Sequence, residues 1–389
     1  MRIAVYHPWV YVKSGLERTL MELHRRSRHQ WTIYTSHYDR AGTYPELAEM
    51  NVVELPRVSV RRRYGAVLGA ARTIASTRID LSGHDALVVS CDGLGSLLTF
   101  RNHDLPVVCL CFTPLRAVYD RAYRARHLGK LGVFKPAALA FEAGWRLVDR
   151  AAWRHYDHVF AISETVRARI AAGGLRRAEE VEVAYPGIDA DRMRPSDVFE
   201  PFFFLPGRIM WTKNLELGIR AFQEFRARTG LPYELRIAGM VDDKSRPYLA
   251  QLQALAGGDP AIRFIQGPTD AGMADLYARC QAVLFTPFNE DWGLTPLEAA
   301  AHGKPVVAVN AGGATETVLH GETGFLEAPT PAAFSRAMEA LARDPDRARA
   351  MGRRGVEQAR RFTWSAFVAR IDDHFTRLEQ AGASLRAVG

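Results

Sequence analysis

Short apolar runs recur along the chain and alternate with stretches of helical spacing, and this alternation restricts the fold more than any other feature. The runs lie at 3–6, 31–35, 86–90, 107–112 and 158–162, then at 202–205, 235–238, 262–265, 282–286 and 306–309. Between them, segments such as 16–28, 215–228, 273–280 and 297–302 repeat apolar residues at helical intervals. Strands that alternate with helices form parallel sheets covered on both faces. One sheet of ten strands would be unusually wide, so two doubly wound domains are expected. The 389 residues suit two domains of ordinary size.

The boundary is expected near Tyr185-Pro186-Gly187-Ile188-Asp189, where proline and glycine break the pattern. The resulting scheme is an α/β chain of two Rossmann-like domains with a cleft between them. Residues 1–187 form the first domain and 188–363 the second. Residues 364–389 form an amphipathic helix, with Phe367, Ile371, Phe375 and Leu378 near one face, that packs back on the first domain.

Charge is distributed unevenly. The formal net charge is +8. Residues 1–190 hold 27 Lys+Arg against 19 Asp+Glu, whereas residues 191–389 hold 24 of each, so the whole excess lies in the first half. Two clusters stand out: Arg57 with Arg61, Arg62 and Arg63, and a segment from Arg121 to Lys135 that interleaves cations with apolar residues. The second resembles an interfacial segment for anionic lipid, and an ordinary solvated helix face is the competing reading. Nucleic acid is not expected, because no recognition motif accompanies the charge.

Four cysteines occur: Cys91, Cys109, Cys111 and Cys280. Cys109 and Cys111 are read as facing opposite sides of a strand, and no spacing indicates a disulfide framework or a zinc site. The expected compartment is the cytoplasm. No run approaches the roughly 20 apolar residues of a membrane span, so any contact with the inner face of the plasma membrane would be peripheral.

The chemistry-bearing segment runs from Phe285 through Asn289-Glu290-Asp291-Trp292-Gly293-Leu294-Thr295-Pro296-Leu297-Glu298. A strand ends near Thr286 and a helix starts with Pro296 as its first residue. Ligands of open α/β sheets bind at such an edge. Backbone N–H groups of Gly293, Leu294 and Thr295, with the helix dipole, suit a phosphate. Glu290 and Glu298 bracket that position, although Thr295-x-x-Glu298 also reads as a capping box. Upstream, Arg208 and Lys213 follow a strand and can converge on one anion. Gly312-Gly313 follows another strand and permits close backbone approach, as would a plain tight turn.

Taken together, these residues resemble retaining glycosyltransferases of family 4, which have the GT-B fold. The likeness is strongest from Pro206 to Ala328, where Glu290-x7-Glu298, Gly293-Leu294-Thr295-Pro296 and Arg208…Lys213-Asn214 occur in family order. It implies that Arg208 and Lys213 bind a donor diphosphate, Glu290 the donor sugar and Glu298 the ribose, with backbone donors from Gly293, Leu294 and Thr295. Glu290, Arg208 and Lys213 are the catalytic candidates. Gly15 matches one of two glycines the family usually shows after the first strand, with Ser14 in place of the other.

Residues 111–120 resemble a segment of bacterial mannosyltransferases that build surface polysaccharides. In those a histidine commonly precedes the Thr-Pro pair, and here Phe112 does. The likeness implies a nucleotide-sugar co-substrate, GDP-mannose before a UDP-sugar, with no metal and no other cofactor, and a lipid-linked saccharide acceptor. The alternative is a UDP-sugar enzyme acting on a soluble or natural-product acceptor, and a more remote one a non-catalytic nucleotide-binding protein or a Rossmann dehydrogenase. His7, Arg116 and Asp120 are the acceptor-side candidates. Residues 161–164 are read as the last strand of the first domain and its turn.

Two patterns are set aside. Asp189-Ala190-Asp191 and Asp344-Pro345-Asp346 have acidic spacing but no phosphate site beside them. Gly93-Leu94-Gly95-Ser96-Leu97-Leu98 is a dinucleotide fingerprint without its third glycine, the sole support for a Rossmann dehydrogenase.

Overall fold

A computed structural model of the chain describes residues 1–60, 64–129 and 131–388, with the side chains of 64, 191 and 382–388 excepted. Arg61, Arg62, Arg63 and Lys130 lie outside the described residues. The chain divides into two units, residues 1–186 with 364–389, and residues 187–363.

The first unit holds strands β1 (Arg2–Tyr6), β2 (Gln30–Thr35), β3 (Val52–Glu54), β4 (Ala86–Cys91), β5 (Val107–Cys111), β6 (His158–Ala161) and β7 (Val181–Val183), in the spatial order β3-β2-β1-β4-β5-β6-β7. Every pairing is parallel. Residues 158–162 are therefore not the final strand. β7 follows and closes that edge. The helix Trp364–Val388 belongs to this unit: Asp372 accepts the Arg28 N–H at 2.9 Å, and Phe375 meets Trp31 edge-on at 6.0 Å.

The second unit holds β8 (Phe202–Pro206), β9 (Glu234–Gly239), β10 (Ile262–Gln266), β11 (Ala282–Phe285), β12 (Val306–Val309) and β13 (Gly324–Glu327), ordered β10-β9-β8-β11-β12-β13 and again all parallel. The run Phe202-Phe203-Phe204-Leu205 shows why. Phe203 and Leu205 enter one core with Leu235, Ile237 and Leu284, while Phe202 and Phe204 enter the other with Ala238, Val283 and Phe285. Alternation along an extended chain feeds both faces at once, so a strand covered by helices on both sides is apolar throughout.

The same alternation corrects the reading of the cysteines. Cys109 and Cys111 are two positions apart on β5, which puts them on one face, and Cys91 of β4 pairs in register with Cys111. The three sulfurs lie within 4.8 Å of one another, all buried, close enough to share an ion.

Candidate functional site

In a sheet of this order the connections run outward in opposite directions from β8 and β11, and the crevice outside their carboxyl ends is where α/β sheets bind ligands. Both loops carrying the expected donor residues leave from there.

After β8 the chain passes exposed Arg208 and enters a 3-10 turn, Trp211–Lys213. Asn214 then adopts the left-handed region (φ 49°), the sole non-glycine with positive φ among the described residues, and starts the helix Leu215–Thr229. Asparagine tolerates that conformation better than most residues, but strain of this kind persists only where the surroundings hold it. Here they do. Thr286 Oγ1, at the end of β11, donates to the Lys213 carbonyl at 2.7 Å. Lys213 Nζ in turn donates to Glu290 Oε2 at 2.8 Å, with both side chains about three-quarters buried. The structure thus brings Lys213 and Glu290 together. Arg208 stays exposed and pairs with no acid among the described residues.

Glu290 is positioned by a loop that leaves no room for side chains. The Gly313 N–H donates to the Glu290 carbonyl at 2.9 Å. A Cβ on Gly313 would lie 2.1 Å from the Trp292 carbonyl oxygen, and one on Gly312 2.4 Å from that of Glu290. The Gly312-Gly313 pair is thus required by close approach. Gly293, at φ 82°, then opens the helix Leu294–Ala301, which has no side-chain cap. Its first N–H groups therefore lack the partner a cap would supply.

The capping-box reading of Thr295 and Glu298 does not hold. The helix begins at Leu294, two residues before Pro296, so Thr295 is already inside its first turn. Glu298 instead accepts a hydrogen bond from the Tyr277 hydroxyl at 2.9 Å. Tyr277 is stacked on His302 at 5.3 Å, and burial followed by the Glu298 charge holds its hydroxyl well above the usual tyrosine range. Tyr277 and Thr286 were not singled out from the sequence, because a tyrosine on a helix and a threonine at a strand end carry no local mark of their partners.

In the first unit His7 follows β1, is buried, and has Nδ1 3.0 Å from Ser90 Oγ. Burial pushes its pKa down to about 3, so the imidazole is neutral at pH 7. Gly15 is the first residue of the helix Gly15–Arg26, whose cap is Ser14 accepting the Leu16 N–H at 3.3 Å. Arg116 opens the short helix Arg116–Tyr119. Asp120 is buried in structural work: it accepts the Ala122 and Tyr123 N–H groups at 3.0 Å and lies 3.3 Å from the Arg169 guanidinium. Arg169 also donates to Thr113 Oγ1 at 2.6 Å, tying the Thr113-Pro114 turn to Asp120.

The remaining patterns find structural roles. Asp344 caps the helix Pro345–Ala359 by accepting the Arg347 N–H at 2.9 Å, and Asp189 precedes a 3-10 turn. Gly95 enters another 3-10 turn, Gly95–Phe100, where a dinucleotide fingerprint needs an α-helix.

Two family models match the chain: Glycosyltransferase Family 4 over residues 13–192 and Glycosyl transferases group 1 over residues 191–358. The chain is 34% identical over 385 residues to the mouse (Mus musculus) Alpha-1,3/1,6-mannosyltransferase ALG2, covering 89% of this chain and 88% of that protein. It is 32% identical over 215 residues to D-inositol 3-phosphate glycosyltransferase 2 of Catenulispora acidiphila, covering 51% of this chain and 50% of that one. The match to human (Homo sapiens) ALG2, 33% over 177 residues, covers 43% of this chain and 42% of that protein. In these last two cases the matched stretch spans half or less of the relative. Among solved structures, the sucrose-phosphate synthase of Thermosynechococcus elongatus superposes with a TM-score of 0.77 at 17% identity, over 98% of this chain and all of that one. Anabaena HepE in complex with UDP and glucose superposes at 0.73 and 19%, over 97% of this chain and all of that one.

Proposed function

Because the chain belongs to glycosyltransferase family 4 and has the GT-B fold, we propose that it moves a hexose from a nucleoside-diphosphate sugar to a saccharide acceptor with retention at the anomeric carbon. In this reading the donor is GDP-mannose and the acceptor a lipid-linked saccharide. The relation to a mouse mannosyltransferase over most of the chain supports mannose. A basic first half suits an acceptor carried on a diphosphate.

The placement of Lys213 against Glu290, beside an uncapped helix, carries the site assignment. In the reaction the bond from the anomeric carbon to the diphosphate oxygen breaks. The acceptor oxygen bonds to that carbon on the face the diphosphate leaves, and the acceptor proton passes to a diphosphate oxygen. No protein nucleophile is needed. Charge grows on the leaving diphosphate, where Lys213, Arg208 and the N–H groups at the head of the helix Leu294–Ala301 offset it. Glu290, oriented by Lys213, accepts hydroxyls of the donor sugar, and Glu298, oriented by Tyr277, accepts those of the ribose. These roles use no metal.

A second acceptor class draws support from the Catenulispora relative, whose name specifies D-inositol 3-phosphate: a small phosphorylated acceptor without a lipid. A panel of GDP- and UDP-sugars, read by mass spectrometry for hydrolysis and transfer, tests both parts. Turnover of GDP-mannose is expected, and turnover confined to UDP-sugars would overturn the donor assignment. Lys213→Ala and Glu290→Ala should each lower turnover by about 10²–10³-fold with the melting temperature kept, the usual effect of deleting one preorganised electrostatic contact. Full activity in both would refute the site.

A further inference from the structure

The helix Lys135–Trp153 buries Ala138, Trp145, Ala152 and Trp153, yet leaves a second apolar stripe outside. Its inward stripe carries Glu142 and Asp149, both buried. Glu142 accepts from Arg124 Nε at 2.6 Å, and Asp149 from Ser96 Oγ at 2.7 Å. Its outward face has no charge between Lys135 and Arg150. Leu139, Leu147 and Val148 are exposed there, with Ala140, Ala143 and Gly144 between them. Arg146 is drawn aside to the Val118 carbonyl at 2.8 Å. The turn entering the helix adds Val133, 87% exposed, and Phe134, 70% exposed; Leu147 is also 70% exposed. Among the described residues, half of the large exposed apolar side chains fall within residues 133–148.

The charge exposed along residues 116–156 has one sign. Residues 116–156 contain nine Lys+Arg and three acids, and all three acids, Asp120, Glu142 and Asp149, are buried. Among the described residues of the segment, the exposed side chains are therefore cationic or apolar. A solvated helix presents the opposite pattern, and an apolar patch of this kind marks a contact.

We propose that the outward face of Lys135–Trp153, with Val133 and Phe134, lies flat on an anionic lipid surface. Exposed Arg121, Arg126, Lys135 and Arg154, on and next to this helix in the chain, supply cations for acidic headgroups, while the apolar residues enter the acyl boundary. A second copy of the chain fits less well, because a two-fold contact would set like charges of the two copies against each other. No described helix is long and apolar enough to cross a membrane, and the buried acids of this one keep its other face on the protein. The inference goes beyond the donor-site reading and does not depend on it.

The test is sedimentation of the full chain with vesicles of equal parts phosphatidylglycerol and phosphatidylcholine, against vesicles of phosphatidylcholine alone. The protein should sediment with the first, less so at high salt, and not with the second. Phe134→Asp combined with Leu147→Asp, both at exposed positions, should lower the bound fraction about tenfold or more, and Phe134→Leu should keep it. Melting temperature and lipid-free donor hydrolysis should be unchanged in all three proteins, which separates failure here from failure of the transferase reading. Equal binding of the double aspartate variant would overturn the proposal. So would a dimer in lipid-free buffer that the same variant converts to monomer, which would give the face to a second copy.

Discussion

Replacing Gly313 by alanine should displace the loop that carries Glu290 without touching either charged partner of the site. The backbone of Gly313 sits at φ −60°, ψ −16°, which any residue adopts, so the substitution acts through space alone. The added Cβ would stand 2.1 Å from the Trp292 carbonyl oxygen and 2.5 Å from the Trp292 Cα, both backbone atoms with no rotamer to escape through. Ordinary contact begins near 3.4 Å, so the Trp292 peptide must withdraw by about 1.3 Å. Trp292 is itself buried and packed edge-on against Phe362 at 5.2 Å, which leaves the shift to travel along the loop to Glu290. A misplacement of about 1 Å costs on the order of 10²-fold in rate, equal to roughly 2.7 kcal/mol of barrier. Steady-state turnover of the donor, with a thermal melt alongside, measures this. Gly69→Ala is the control: it lies in the helix Tyr64–Ser76 with nothing within 4 Å of the new Cβ, and should leave turnover unchanged while adding up to about 1 kcal/mol of stability. A Gly313→Ala protein with full turnover would refute the claim that close approach of the Gly312-Gly313 loop sets the position of Glu290.

Further expectations concern acid stability and metal. His158 of β6 and His374 of the helix Trp364–Val388 stack at 4.1 Å, and burial holds both near pKa 4. Folding favours their neutral forms, so their contribution is complete above about 6.5 and is lost as pH falls toward 4. The Arg377 charge reinforces this at both histidines, and the Glu182 charge opposes it at His374 without cancelling it. Melting temperatures from pH 7 to pH 4 should fall less steeply in His374→Phe than in the parent, and identical slopes would dismiss the pair as the cause. Because Lys213, Arg208 and a helix end can offset the diphosphate, donor turnover should be unchanged by EDTA. Loss of turnover that magnesium restores would contradict that.

Much of the fold is legible in the sequence, for a reason visible in which strands were found. The ten apolar runs all became strands. Nine have a neighbour on each side, where a strand covered on both faces is largely apolar, and the tenth, β10, is an edge strand of five residues. The three not anticipated, β3, β7 and β13, are edge strands of three, three and four residues. These three have one neighbour and little length, so their segments show no run long enough to stand out. The family motif likewise points to Lys213 and Glu290 in advance, since it lies in contiguous stretches of text.

What the sequence alone determined was local: where strands and helices form, and which loops hold groups suited to a nucleotide sugar. The tertiary structure decided the pairings, because these join residues far apart in the chain. Lys213 meets Glu290 across 77 positions. Glu298, which reads as a helix cap by spacing, is taken by a tyrosine 21 positions away. The helix Lys135–Trp153 carries both acids and apolar residues, and its periodicity cannot say which stripe faces the core. In the fold Trp145 and Trp153 go inward together with Glu142 and Asp149, which Arg124 and Ser96 satisfy, and Leu139, Leu147 and Val148 stay outside.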